Sequence, residues 1–115
     1  MGQTNPSFMN GVPELLILSL LRRREMYGYE LVQQIRAATG SVVVLGEGVV
    51  YPALHGLEKD GALRSRRKTV DGRSRVYYAL TPQGQARLDD LSGSWSRLTQ
   101  AIQDALGGIV HVPAL

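Results

Sequence analysis

Apolar residues recur along this chain with helical spacing in four stretches, and alternate along one pair of shorter runs between the third and fourth. The first stretch is almost continuous: Leu15, Leu16, Ile17, Leu18, Leu20 and Leu21 leave nearly no polar face. Pro13 suits a first turn, so the pattern predicts a helix from Pro13 to about Arg24. The second helix is predicted over Tyr27 to Thr39, with Gly28, Leu31, Val32, Ile35 and Ala38 as its buried stripe and Gly40 as its stop. In the third, Val50, Leu54 and Leu57 share one face while Tyr51, His55 and Lys59 share the other. Pro52 is expected in the first turn of that helix, where its missing N–H has no intrahelical partner, and Gly61 is expected to cap the end. Gly46-Glu47-Gly48 reads as the turn leading in. Before it, the β-branched run from Ser41 to Leu45 is a short strand candidate that would pair with the hairpin described next.

Leu63 to Thr69 and Ser74 to Leu80 flank Asp71-Gly72, a strong two-residue hairpin turn. Val76, Tyr78 and Leu80 fall on one face of the return strand, Arg75 and Tyr77 on the other. The last helix is predicted to start at Thr81, a good N-cap, with Pro82 at its first position. Its Leu88, Leu91, Trp95, Leu98, Ile102 and Ala105 step by three and four in alternation, the seam of a helix packed along another helix, and Gly107-Gly108 end it. About 25 residues at 1.5 Å each make a rod of about 37 Å. Such a rod is longer than a small core covers, which favours pairing between two copies. The first helix bears on the same question. A helix apolar all round must be covered on more than one side. Either a second subunit covers it, through Leu16 and Leu20, or it is the central helix of the chain's own core.

Charge sharpens the picture at one place. The net charge of +3 is mild, but six of the 13 basic residues (Arg64, Arg66, Arg67, Lys68, Arg73 and Arg75) lie on the hairpin with one acid, Asp71. A charge run on a hairpin is commonly a solvated edge that blocks unwanted strand pairing. The order of elements points further: a helix with a polar face followed by a basic ribbon is the layout of a winged helix, whose helix enters the major groove and whose wing holds phosphates. Tyr51, Pro52, His55 and Lys59 on the helix, and Arg66, Arg67, Lys68, Arg73 and Arg75 on the wing, are the candidate DNA contacts. Tyr27 and Tyr29 read first as core aromatics. The position of their helix before the recognition helix adds Tyr29 as a candidate phosphate contact.

Three segments carry a family resemblance. Tyr51-Pro52-Ala53-Leu54-His55 followed by Leu57-Glu58-Lys59-Asp60-Gly61 is similar to the YPALHxLExxG signature of the PadR family of bacterial transcriptional regulators. Tyr77-Tyr78-Ala79-Leu80-Thr81-Pro82-Gln83-Gly84 resembles its YYxLTxxG segment, and Tyr27-Gly28-Tyr29-Glu30-Leu31 its YGYEL segment. The resemblance covers roughly residues 12 to 106 in order. It implies a C-terminal dimerisation helix, in the branch with a single such helix, and repression relieved by a small molecule. Two positions depart from the pattern: Gly56 stands where a long polar or basic side chain is common, and Glu47 precedes the recognition helix.

With 115 residues, one domain is expected, and the lack of cysteine rules out disulfide and thiolate chemistry. His55 and His111 have no ligand-like spacing, so no metal or other cofactor is expected. No nucleophile–base set or phosphate loop is present, and Asp89-Asp90 reads as solvated, so no enzyme is expected. The run Leu15 to Leu21 is too short to span a bilayer and has no signal-peptide features, which implies a cytoplasmic protein with no membrane partner. The expected fold class is mainly α with a small antiparallel β wing. A flexible arm (1–11) precedes a winged helix-turn-helix domain (12–80), a C-terminal dimerisation helix (81–108) and a tail (109–115). The expected function is sequence-specific binding of double-stranded DNA as a homodimeric regulator. The alternative is a winged helix used for protein docking, with the basic wing merely solvated. Leu16, Leu20, Leu88, Leu91, Trp95, Leu98 and Ile102 are the candidate dimer contacts. Trp95, beside small Ser92, Gly93, Ser94 and Ser96, either fills that interface or forms a slot for a small hydrophobic effector.

Overall fold

A computed structural model of the chain describes residues 11–107. The expected arm and tail, with Gly108 and His111, lie outside the described residues apart from Gly11. The elements run α1 (Val12–Leu21), β1 (Met26–Tyr27), α2 (Gly28–Ala38), α3 (Glu47–Lys59), β2 (Leu63–Val70), β3 (Arg73–Leu80) and α4 (Pro82–Leu106). The sheet is antiparallel with order β1-β3-β2. The fold class is the winged helix-turn-helix with a small β wing.

The core is built around α1. Ile17 and Leu18 are fully buried, and α2, α3, α4 and β3 all pack against this helix. Most of its apolar circumference is covered inside the chain, while Leu15 and Leu16 stay half-buried. Of the two readings of α1, the central core helix is the one realised, and Leu20 is a core residue rather than a dimer contact. Leu31 and Ile35 from α2, Val50, Leu54 and Leu57 from α3, and Leu63 and Tyr78 from the sheet complete the core. The stripes read from periodicity for α2 and α3 thus face inward, except that Ala38, at the end of α2, is exposed.

Local chemistry sets the boundaries. At the end of α3 the Ala62 N–H donates to the Leu57 carbonyl (2.9 Å) and the Gly61 N–H to that of Glu58 (3.0 Å). With Gly61 at φ 85°, this is the Schellman arrangement, which favours a residue without Cβ. The Thr81 hydroxyl accepts from the Gly84 N–H (3.0 Å) and donates to the Gly61 carbonyl (2.7 Å), so a single side chain caps α4 and ties it to the end of α3. The hairpin register pairs Val70 with Arg73. Asp71 and Gly72 both have positive φ, as the two-residue primed turn requires.

Several expectations fail, and α1 stops at Leu21 rather than running to about Arg24. Residues 41–45 form no strand. Ser41 sits at φ 65°, and the Thr39 hydroxyl accepts the Val43 N–H (3.1 Å), so the β-branched run is folded into a loop. The third strand is instead Met26–Tyr27, pairing with Tyr78 and Tyr77. Finally, α3 begins at Glu47, which puts Pro52 inside the helix rather than in its first turn. The Gly48 carbonyl therefore has no N–H to accept from Pro52, a loss that costs roughly 3 kcal/mol in an ordinary helix interior.

Candidate nucleic-acid interface

At about 100° per residue, the face of α3 turned away from Val50, Leu54 and Leu57 carries Gly48, Val49, Pro52, His55, Gly56 and Lys59, and all six are exposed. Pro52, His55 and Lys59 are thus open to a ligand. Tyr51 is not equivalent to them. Its ring lies so close to Gly28 that a Cβ at position 28 would come within 2.4 Å of it. The half-exposed Tyr51 ring closes α2 against α3 and sits at the edge of the polar face, its centroid 6.4 Å from that of His55. Tyr29 stands free on the first turn of α2, 48% exposed.

The wing has two unlike faces. Its register sets Arg64, Arg66 and Lys68 against Ala79, Tyr77 and Arg75 on one face, and Leu63, Ser65 and Arg67 against Leu80, Tyr78 and Val76 on the other. The second face covers the core near its base. There Ser65 donates to a Glu58 carboxylate oxygen (2.5 Å), and burial, with Glu58 and Tyr51 nearby, pushes the Tyr78 phenol up, so it stays neutral. Arg67 lies on this face beyond the core and donates to Ser74 Oγ (3.3 Å). Arg73, next to the turn, is exposed.

On the outer face the cations are organised by a residue that sequence reading missed. Glu25, just before β1, accepts from Arg66 Nε (3.2 Å) and Nη2 (2.8 Å) and from Lys68 Nζ (2.5 Å). Hydrogen bonds from Arg66 and then Lys68 lower its carboxyl pKa to about 2 and raise that of the Arg66 guanidinium. Lys68 also lies over the Tyr77 ring (4.2 Å), Arg75 over the Tyr27 ring (4.3 Å), and the two rings meet edge to face at 5.4 Å. Arg66, Lys68 and Arg75 are therefore held in place, two of them by an acid, whereas Arg64, Arg67 and Arg73 are exposed and have no carboxylate partner among the described residues. The only sequence signal for Glu25 is an acid ending the run Arg22-Arg23-Arg24, and nothing local links it to a wing more than forty residues away.

The seam of α4 divides in two. Leu88 is buried in the chain's own core, which removes it, like Leu20, from the candidate dimer contacts. Leu91 and Leu16 are half-buried against that core. Past them Trp95 (47% exposed), Leu98 (54%) and Ile102 (48%) form an uncovered apolar line that continues to Leu106. An open cleft of about 170 Å³ lies between α1 and α4, lined by Val12, Leu15, Leu91, Ser94, Trp95 and Leu98. Among the described residues no cluster of three or more His, Cys, Asp or Glu could hold a metal ion, and no helix is long and apolar enough to cross a membrane.

An exposed helix face, a basic wing built from the following hairpin, and a three-stranded sheet closed by β1 define a winged-helix protein of the DNA-binding class. The model of the PadR-like family of transcriptional regulators matches residues 17–90. The chain is 35% identical over 104 residues to Transcriptional regulator Rv3488 of Mycobacterium tuberculosis, covering 90% of this chain and 92% of that protein. A transcriptional regulator from Clostridium thermocellum superposes with a TM-score of 0.80 at 30% identity, over 88% of this chain and 99% of that one. A PadR family regulator from Clostridium difficile gives 0.75 at 30% identity, over 84% and 100%. The chain belongs to the PadR-like family and is a DNA-binding transcriptional regulator, a class that does its work by binding rather than by catalysis.

Proposed function

We propose that this protein is a homodimeric repressor that acts in the cytoplasm and binds an inverted repeat in double-stranded DNA. In this reading α3 enters the major groove, the exposed Arg64, Arg67 and Arg73 of the wing bind phosphates, and a small hydrophobic molecule relieves repression. The observation that carries the reading is the uncovered line Trp95–Leu98–Ile102–Leu106 on the half of α4 that leaves the core. Exposed apolar side chains at this spacing are stabilised by a second copy of the same helix. A two-fold axis then relates two α3 helices, and their target repeats about one helical turn, roughly 34 Å, apart. The cleft beside Trp95 is smaller than the roughly 300–1,000 Å³ of a typical ligand pocket. A second copy across the seam would wall it and enlarge it, which supports the dimer interface as the effector site.

The test is selection of bound fragments from random duplex DNA, together with sedimentation of the free protein at micromolar concentration. The expected result is a dimer, an inverted-repeat consensus, and affinity that falls with salt by a log–log slope of roughly −0.9 per phosphate contact. A monomer in sedimentation, or no duplex retained even at low salt, refutes it.

A further inference from the structure

We infer that the N-terminal half of α3 reads its site through the methyl groups of thymine, with Val49 and Pro52 as the contacting side chains and Gly48 and Gly56 allowing a close approach. This rests on the proposal above that α3 is the recognition helix.

Recognition helices meet base edges mainly with residues of their N-terminal part. In α3 the outward positions there are Gly48, Val49 and Pro52, none of which has a side-chain donor or acceptor. Hydrogen-bonded readout of guanine or adenine needs Arg, Lys, Asn or Gln at such positions. The one polar neighbour, Glu47, lies on the flank, closer in direction to Leu54 than to Pro52 by the helical rotation. What this surface does offer is apolar: Val49 is 45% exposed although the adjacent Val50 is fully buried in the core. The thymine methyl is the apolar group that the major groove presents. His55, one turn later, is the first outward side chain able to form a hydrogen bond with a base.

The glycines point the same way. A Cβ at Gly48 or Gly56 would meet nothing within 4 Å, and neither residue has positive φ. The fold therefore gives no reason for glycine at either position, and glycine inside a helix is disfavoured. Both open onto the outward face, so the room they leave is room for something outside the chain. A bare strip of backbone lets the helix axis settle nearer the base edges, where the short Val49 and Pro52 side chains can reach methyl groups.

The experiment uses the duplex selected above, with each thymine replaced in turn by uracil, which lacks only the methyl group. Wild type should lose about four-fold in affinity at one or two positions per half-site, the equivalent of one unburied methyl. Val49→Ala, which removes the contact from both half-sites of the dimer, should bind the thymine duplex more weakly by about the square of that factor and be indifferent to uracil at one of those positions. Gly56→Ala should melt at a higher temperature than wild type yet bind the duplex more weakly. Uracil tolerated at every position, or Val49→Ala as sensitive to it as wild type, overturns the methyl readout while leaving the DNA-binding proposal standing. Undiminished binding by Gly56→Ala overturns the close approach. Failure to select any duplex removes both proposals together.

Discussion

Replacing Gly84 with alanine inserts a methyl group where the start of α4 rests on the end of α3. The new Cβ would lie 2.1 Å from the Ala62 carbonyl oxygen, 2.8 Å from Leu80 Cδ1 and 3.0 Å from the Ala62 carbonyl carbon. Ordinary carbon–oxygen contact is about 3.3 Å or more, so the two backbones must separate by roughly 1 Å. Neither side yields easily. The Ala62 carbonyl accepts the Thr81 N–H (3.1 Å) and the Ala62 N–H donates to Leu57 (2.9 Å), while the Gly84 N–H is held by the Thr81 hydroxyl. Overpacking of this kind costs about 1–3 kcal/mol. At about 4 °C per kcal/mol for a domain near this size, Tm should fall by roughly 4–12 °C. Gly56→Ala is the matched control: also a helix glycine, but with open space at its Cβ, it should gain up to about 1 kcal/mol. Thermal melts by far-ultraviolet circular dichroism read both, at one fixed protein concentration because association shifts Tm. A Gly84→Ala protein that melts at or above wild type would show that the contact between α4 and Ala62 is not tight, and would refute the reasoning.

Two further outcomes are expected. Glu25 has a folded pKa of about 2 against an ordinary 4.5, so its contribution to stability is complete above pH 4.5 and drains away as pH falls toward 2. The gap in urea midpoint between wild type and Glu25→Gln should therefore narrow over that interval, and a gap independent of pH would disprove the clasp. Leu98→Asp changes the most exposed large apolar side chain of α4, so the monomer fold should keep its circular dichroism while sedimentation shifts from dimer to monomer. An unchanged dimer would place the interface elsewhere.

The elements legible in the sequence are those whose cause is local. Gly40 and Gly61 end helices because a residue without Cβ takes the left-handed cap at little cost, and Thr81 starts one because its hydroxyl reaches an N–H three residues on. Asp71-Gly72 turns the hairpin by its own backbone preference, and the inward stripes of α2 and α3 follow from a period of 3.6 residues. The site was legible to the same extent. The exposed His55, Lys59, Arg67 and Arg73 lie where the polar face and the basic ribbon put them.

What escaped the sequence depends on partners far away along the chain. Met26–Tyr27 is a strand only because Tyr77 and Tyr78 lie beside it, and two residues carry no periodicity of their own. The valines at 42–44 have strand propensity, but Thr39 and the left-handed Ser41 bend them into a loop, and no strand edge is paired with them. Periodicity also cannot tell which neighbour covers an apolar face. Leu20 and Leu88 are satisfied by the chain's own core, whereas Trp95, Leu98 and Ile102 continue the same pattern while staying about half exposed. Likewise the number of cations on the wing follows from the sequence, but their freedom does not. Glu25 restrains Arg66 and Lys68 from 41 and 43 positions away, a contact made only once β1 has docked on β3. Turns and caps are decided within about five residues, and the sequence alone determines them. Coverage and charge pairing are decided by chain closure, so only the tertiary structure could assign them.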